Sequence, residues 1–448
     1  PNKAFFDWIV LPVRCVLSRH QGLDFAAEIV ACKSVRISAD KRMPQRALTF
    51  LFFTVLIDVI GFGVVLPVTP GLIMELNGTD LSSASTVGGW LLFAFAITQF
   101  FFAPIMGNLS DRFGRRPVLL SSLAAFGLDY TITGFSPNLS WLFVGRIIAG
   151  ATGASFSTAN AYIADISKPE DRAKNFGLIG AAFGLGFILG PALGGIVGGF
   201  GTRIPFFVAG GLAFANALFG AFALPESLPE SSRRLFQWAR ANPAGTLIHL
   251  KKYPMIYALA AVNFLWQLAH QVLPSTWTFY TMLKFNWNQN DVGYSLAFVG
   301  LCMTIVQGGL SGPIIKKLGE RGAAIGGLLI GAIGFFGYAL SPSPWIIYIF
   351  AAISSLSGLT YPSLNALMSG QVPATSQGEL QGGNSSLISI TSILGPLLMT
   401  QTFHMFATGP GIVFPGAPFA LAGILAIGAL MVLFISLARI ARAPGPQG

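Results

Sequence analysis

The sequence predicts an all-α integral membrane protein: twelve transmembrane helices in two pseudo-symmetric six-helix bundles. Three observations predict it. The 448-residue chain is 53% apolar and only 10% charged, against about 25% charged in soluble domains. So depleted a chain cannot cover itself with polar surface, and lipid is the better solvent. Apolar stretches of about 20 residues, the length that crosses a bilayer, recur twelve times. Motifs of the first half return in the second at a constant offset.

The expected spans are 48–68, 88–106, 118–135, 139–160, 176–199 and 204–223, then 255–280, 292–314, 322–340, 344–366, 380–405 and 416–438. Between the sets lies 225–254, a polar, proline-containing linker with Arg233, Arg234, Arg240, Lys251 and Lys252. The expected domains are therefore 43–224 and 255–448, the second ending in a short cytoplasmic tail. The first 42 residues differ, with seven Lys/Arg, four Asp/Glu and no run long enough to span. Met43 opens MPQRALTFLFF, which reads like a natural start. We therefore expect 1–42 to be a non-native or disordered extension that does no work.

Orientation follows from the basic residues. From Met43 onward there are 20 Lys/Arg, and 17 fall in segments that share one side when the N-terminus is inside. Cytoplasmic loops carry the Lys/Arg excess, so both termini are expected in the cytoplasm. The net charge of +10 is thus topology rather than a nucleic-acid footprint. Cys15, Cys32 and Cys302 give neither a disulfide framework nor metal-ligand spacing. No Gly-x4-Gly-Lys-Ser/Thr loop appears, which argues against ATP-driven transport. No enzyme, cofactor or metal site is expected.

The most informative segment is Gly107 to Leu120, GNLSDRFGRRPVLL. Its charges, Asp111, Arg112, Arg115 and Arg116, belong at the water boundary because charge at the bilayer centre is costly. Gly107 and Gly114 recur as Gly312 and Gly319, and Gly190-Pro191 as Gly395-Pro396, always 205 positions on. A shared offset in loop and helix motifs implies a parallel repeat with a substrate path between the halves. The second copy is degenerate, with Lys316 where Asp111 would be.

This loop resembles the signature between the second and third helices of the major facilitator superfamily, and the resemblance covers Met43 to about Arg442. It implies an ionic latch that forms in one conformation and breaks in another. Gly107 is expected to let two helices approach closely. Asp111 is expected near the start of the third helix, where the dipole favours an anion. A second segment, GFILGPALGG, is similar to the fifth-helix pattern of drug/proton antiporters, through Gly186, Gly190, Pro191, Gly194 and Gly195. Its Gly-Pro step removes an N–H and should weaken the helix locally. A third set resembles the tetracycline/proton antiporters: Asp58, LDY at Leu128 to Tyr130, GRIIAGATGA at Gly145 to Ala154, Asp165, Gln267, Gln271, Trp277 and QGELQG from Gln377. Those exporters typically carry a histidine in the eighth helix and an aspartate in the ninth. Met303 and Gly331 stand there in this chain. Proton coupling is then expected to rest on the first half.

Three ionised residues fall well inside spans: Asp58, Asp129 and Arg146. Asp129 and Arg146 each lie about seven residues from the outer end of neighbouring antiparallel helices, roughly 10 Å deep. Equal depth permits a pair, and a paired ion is tolerable in a low-dielectric interior. We expect all three to serve proton coupling, with a permanent structural salt bridge as the alternative for Asp129 and Arg146. Asn263, Gln267, His270, Gln271, Trp277, Gln307 and Gln381 are the candidate cavity residues, and interhelical hydrogen bonding is their alternative role.

The resemblance implies a proton-coupled exporter of amphiphilic, tetracycline-like drugs in a bacterial inner membrane. Its expected partners are the drug, protons and the bilayer, with a monomer as the working unit. A sugar or metabolite carrier of the same superfamily, or a non-transporting receptor, are the competing readings.

Overall fold

A computed structural model describes residues 47–442 apart from 154, 169–170, 237–253, 373–376 and 409–410. The expectation for 1–42, and most of the linker, lie outside the described residues. By its contacts the chain divides into a short unit, Pro1–Phe50, and a large one, Leu51–Gly448. The large unit holds the helical bundle.

Every regular element among the described residues is helical. Eleven helices are long and apolar enough to cross a membrane. One of them, Gln289–Leu340, has 52 residues and turns at Gly319, whose φ of 70° and ψ of 166° leave the helical region. It therefore holds two spans, making twelve. The spans are Ala47–Val65, Leu81–Phe113, Arg115–Phe135, Leu139–Ile166, Arg172–Gly198 and Ile204–Ala223, then Pro254–Phe285, the two within Gln289–Leu340, Pro344–Ser369, Gln377–Ala407 and Ala417–Arg442. We number them first to twelfth.

Local chemistry sets the ends. Asp80 caps the second span by accepting from Ser83 N at 3.2 Å, and Asn138 caps the fourth by accepting from Ser140 N at 3.1 Å. Asn288 and Asp291 form a reciprocal capping box at the eighth, satisfying two otherwise unpaired N–H groups. Gly114 (φ 106°) and Gly319 (φ 70°) are the matching turns of the two halves, 205 positions apart, and both need the left-handed region that glycine tolerates.

Several spans are irregular midway. The fourth breaks at Gly153, whose carbonyl accepts from Gln99 Nε2 at 2.9 Å. The seventh breaks at Gln271. The eighth carries a π-turn, Val306–Leu310, and the tenth a 3-10 turn, Leu356–Leu359. Such breaks in a membrane are tolerated where protein or a cavity surrounds them. The fifth span, by contrast, runs unbroken through Gly190-Pro191, so the expected local weakening does not interrupt it.

The third and sixth spans pack together, as do the ninth and twelfth. The two halves meet along the fifth and eighth spans and along the second and eleventh, pairs that exchange when each span is shifted by six. The fifth and eighth touch at Gly184/Thr304, Gly300/Ile188, Gly293/Gly195 and Gly198/Gln289. Beyond that, Gly177 and Gly180 on one and Gly308, Gly309 and Gly312 on the other face open space. The glycine contacts between the pair therefore run over about 14 residues, roughly 21 Å of helix, and stop short of Gly180 and Gly308. The end without these contacts is the one bearing Gly107 to Leu120, the latch end. At the far end Ser82 Oγ lies 3.0 Å from His404 Nδ1, joining the second and eleventh spans. Among the described residues the two halves are thus joined at the far end, and their glycine contacts stop before the latch end.

Candidate functional site

The latch is assembled from four spans, the second, third, fourth and sixth, and the start of the linker. Arg115 Nη1 donates to Asp111 Oδ1 at 2.6 Å and to Ser110 Oγ at 2.9 Å, and its Nε donates to Asp165 Oδ2 at 3.1 Å. Asp165 also accepts from Ser227 Oγ at 3.2 Å. Arg116 donates to the Ala221 carbonyl, and the Tyr162 hydroxyl to the Pro225 carbonyl. Arg112 sits 5.1 Å from the centre of the Phe113 ring. The side-chain partners named here all belong to the first six spans or the segment just after them, so the network binds that half to itself.

Two expectations are corrected here. Asp111 does not start the third helix; it lies in the last turn of the second, Leu81–Phe113. The anion at the third helix is Glu226, whose Oε1 accepts from Arg115 N at 2.8 Å and whose Oε2 accepts from Arg116 N at 3.2 Å. A helix N-terminus exposes unpaired N–H groups and positive potential, so a carboxylate is favoured there. Gly114 makes the space: a Cβ there would come within 2.6 Å of Glu226 Cδ. Gly107, by contrast, faces open space and mediates no close approach. The sequence signal for Glu226 was a carboxylate in PESLPE directly after the sixth span, easily passed over as linker.

The intramembrane charges lie in the first half. Arg146 Nη2 bonds Asp129 Oδ2, and the Asp129 side chain is fully buried. Gly145 leaves room for it, since a Cβ there would press on Asp129 Oδ1. Asp58 is half-buried and accepts from Ser155 Oγ at 2.8 Å. No ion pair to it is found among the described residues. Tyr130 stands between the two groups: Arg146 lies 5.9 Å from its ring centre, and its edge is 3.7 Å from where a Cβ would stand on Gly61, three residues after Asp58. Arg146 and Thr133 also line a cavity shared by both halves, with Phe62, Leu66, Leu142, Ser275 and Phe279.

The glycines of the fifth span form one packing face. A Cβ on Gly186 would meet Val59 Cβ at 2.7 Å, on Gly190 the Gly63 Cα at 2.8 Å, and on Gly194 the Val64 carbonyl carbon at 2.8 Å. Spaced four apart, they hold the first and fifth spans nearly backbone to backbone. Pro191 and Gly195 face Gly293 and Asn290 of the eighth.

The cavity candidates separate into two groups. Gln267, His270 and Gln307 line a pocket with Trp266, Met303, Ser357 and Tyr361. Asn263, Gln271 and Gln381 instead bond between helices: Asn263 Nδ2 to Asn384 Oδ1 at 3.5 Å, Gln271 Nε2 to Ser392 Oγ at 3.1 Å and Gln381 Nε2 to Asn365 Oδ1 at 3.0 Å. Trp277 is buried among Tyr338 and Phe419, with Nε1 donating to Ser295 Oγ at 3.0 Å. Gln267 and Gln271 part company because the helix breaks at Gln271. Among the described residues no cluster of His, Cys, Asp and Glu suits a metal.

Comparison with known proteins places this architecture. Residues 51–396 match the sequence profile of the Major Facilitator Superfamily. The chain is 39% identical over 364 residues to the class C tetracycline resistance protein of Escherichia coli, covering 81% of this chain and 91% of that protein. It is 37% identical over 351 residues to the class G tetracycline resistance protein of Vibrio anguillarum, covering 78% and 88%. Among solved structures, the human organic anion transporter MFSD10 (TETRAN) superposes with a TM-score of 0.66 at 24% identity over 87% of this chain and 99% of its own. The nucleoside transporter NupG gives 0.71 at 14% identity over 89% and 100%. At such identities these structures speak to fold alone.

Proposed function

Because this chain belongs to the major facilitator superfamily, a family of multi-pass membrane transporters and not of enzymes, we propose that it exports amphiphilic, tetracycline-like drugs in exchange for protons. The uneven contact between the fifth and eighth spans supports this reading. They touch from Gly184 to Gly198, and their glycines make no such contact at Gly180 and Gly308. Rocking the two six-span bundles, 43–224 and 255–448, about that contact would seal the latch end and open the far end. The latch end is cytoplasmic in this reading, since its loops hold the basic residues, and both termini lie on that side of a bacterial inner membrane. The working unit is a monomer.

Asp58 is the proton carrier. It is a carboxylate inside the first half with a hydroxyl as its partner, so adding a proton creates no orphaned cation. Asp129 and Arg146 neutralise one another, and Tyr130 couples them to Asp58. The latch keeps the first half rigid as it moves. Tetracycline resistance is the property named for two similar proteins, which supports the cargo class.

The test is expression in an efflux-deficient bacterium, scoring resistance over a drug panel that includes tetracyclines, with a proton uncoupler as control. Uncoupler-sensitive resistance is expected. Sugar or metabolite uptake with no drug resistance would overturn the proposal.

A further inference from the structure

The pocket of the seventh, eighth and tenth spans has a chemistry that names its ligand. It forms where regular helix is lost, at the π-turn Val306–Leu310 and the 3-10 turn Leu356–Leu359. Single-turn π-bulges recur at functional sites. Its walls include Trp266, Gln267, His270, Met303, Gln307 and Tyr361. The side chains of Gln267, His270, Gln307 and Tyr361 make no hydrogen bond to another described residue, whereas nearby Asn263, Gln271 and Gln381 are all bonded. Polar groups left free around one pocket are available to a ligand.

No Asp, Glu, Lys or Arg lines this pocket. The ninth span adds none, because Trp266 occupies its space. A Cβ on Gly331 would come within 2.6 Å of Trp266 Cζ3, so the indole stands where a ninth-span side chain would project. Among the described residues, the intramembrane carboxylates Asp58 and Asp129 are both in the first half, and Asp129 is already paired. A cation entering the pocket would meet the Trp266 and Tyr361 rings but no counter-charge, and burying an unpaired charge is costly. His270 and Tyr361 are the titratable groups of the wall. A proton on His270 would add positive charge and repel cations further. A flat molecule without net charge is instead met by the Trp266 ring, the Met303 thioether and two amides.

We propose that cargo binds in this pocket of the last six spans as a metal-free aromatic amphiphile without net positive charge, while proton binding is confined to the first six. The proposal rests on the exporter reading. It separates the two sites in space and makes Gln307, on the π-turn, a specificity-determining residue.

Equilibrium dialysis of the full-length protein in lipid nanodiscs tests it, with radiolabelled tetracycline as probe in EDTA or in excess Mg²⁺, whose chelate carries positive charge. Binding in EDTA should be at least as tight as in Mg²⁺, and tetraphenylphosphonium should not displace the drug. Gln307→Ala should weaken binding about tenfold, the loss of one hydrogen bond. Gln307→Glu should reverse the preference, favouring the Mg²⁺ complex and admitting tetraphenylphosphonium, a gain that misfolding cannot produce. A requirement for Mg²⁺, displacement by tetraphenylphosphonium in the unsubstituted protein, or no change in either variant would overturn this inference and leave the exporter reading intact. No binding under any condition, together with no resistance in cells, would overturn both.

Discussion

The contact between Glu226 and the third span predicts a measurable coupling with Gly114. Glu226→Ala removes two acceptors from backbone N–H groups, at 2.8 and 3.2 Å. Loss of a cap costs about 0.5–2 kcal/mol, and loss of a charge from a helix N-terminus adds about 0.3–1 kcal/mol. Together they come to about 2 kcal/mol. Gly114→Ala places a methyl 2.6 Å from Glu226 Cδ, roughly 1 Å inside ordinary contact, so the carboxylate must leave the helix. It also imposes a φ of 106° on a residue with a Cβ, at about 1–3 kcal/mol. The single variants should cost about 2 and about 4 kcal/mol. Once Gly114→Ala has evicted the carboxylate, removing it costs nothing more, so the double variant should also cost about 4 kcal/mol. The expected coupling is about 2 kcal/mol, within the range for residues in contact. Reversible unfolding in mixed micelles measures all three. Strictly additive losses would refute the shared clamp.

Three further outcomes are expected. Asp58→Asn should abolish drug/proton exchange in proteoliposomes; unchanged exchange would exclude Asp58 as the carrier. Asp129→Ala or Arg146→Ala alone should destabilise by about 3–5 kcal/mol, because each leaves a buried charge unpaired, whereas the double variant should lose much less; thermal unfolding in detergent distinguishes the two patterns. Asp111→Asn or Arg112→Ala should slow efflux across the whole drug panel by a similar factor, and an altered drug spectrum would show that the latch takes part in cargo choice.

Much of this architecture was legible in the sequence because membranes constrain it in one dimension. Span length follows from bilayer thickness, and every backbone N–H must be satisfied within its own helix. The twelve spans, the repeated Gly114/Gly319 turns and the glycine face at Gly186, Gly190 and Gly194 therefore follow from composition and spacing. Equal depth on adjacent spans was enough to foresee a pair between Asp129 and Arg146.

Three-dimensional packing decided the partners. Asp111 was expected near the start of the third helix as its favoured anion, but the second span runs on to Phe113 and Glu226 arrives from 111 residues away to take that place. Gly107 fits a close-packing motif, yet it faces open space among the described residues. Gln267 and Gln271 share a helical repeat, but a break at Gln271 sends one to the pocket and the other to Ser392. The loss of charge at Met303 and Gly331 can be read from the sequence; that Trp266 fills the vacated space cannot. The sequence by itself determined which segments cross the membrane and where charge is permitted, since both depend on local transfer energies. Only the tertiary structure decided which groups meet and where the two halves touch, since those depend on contacts between residues far apart in the chain.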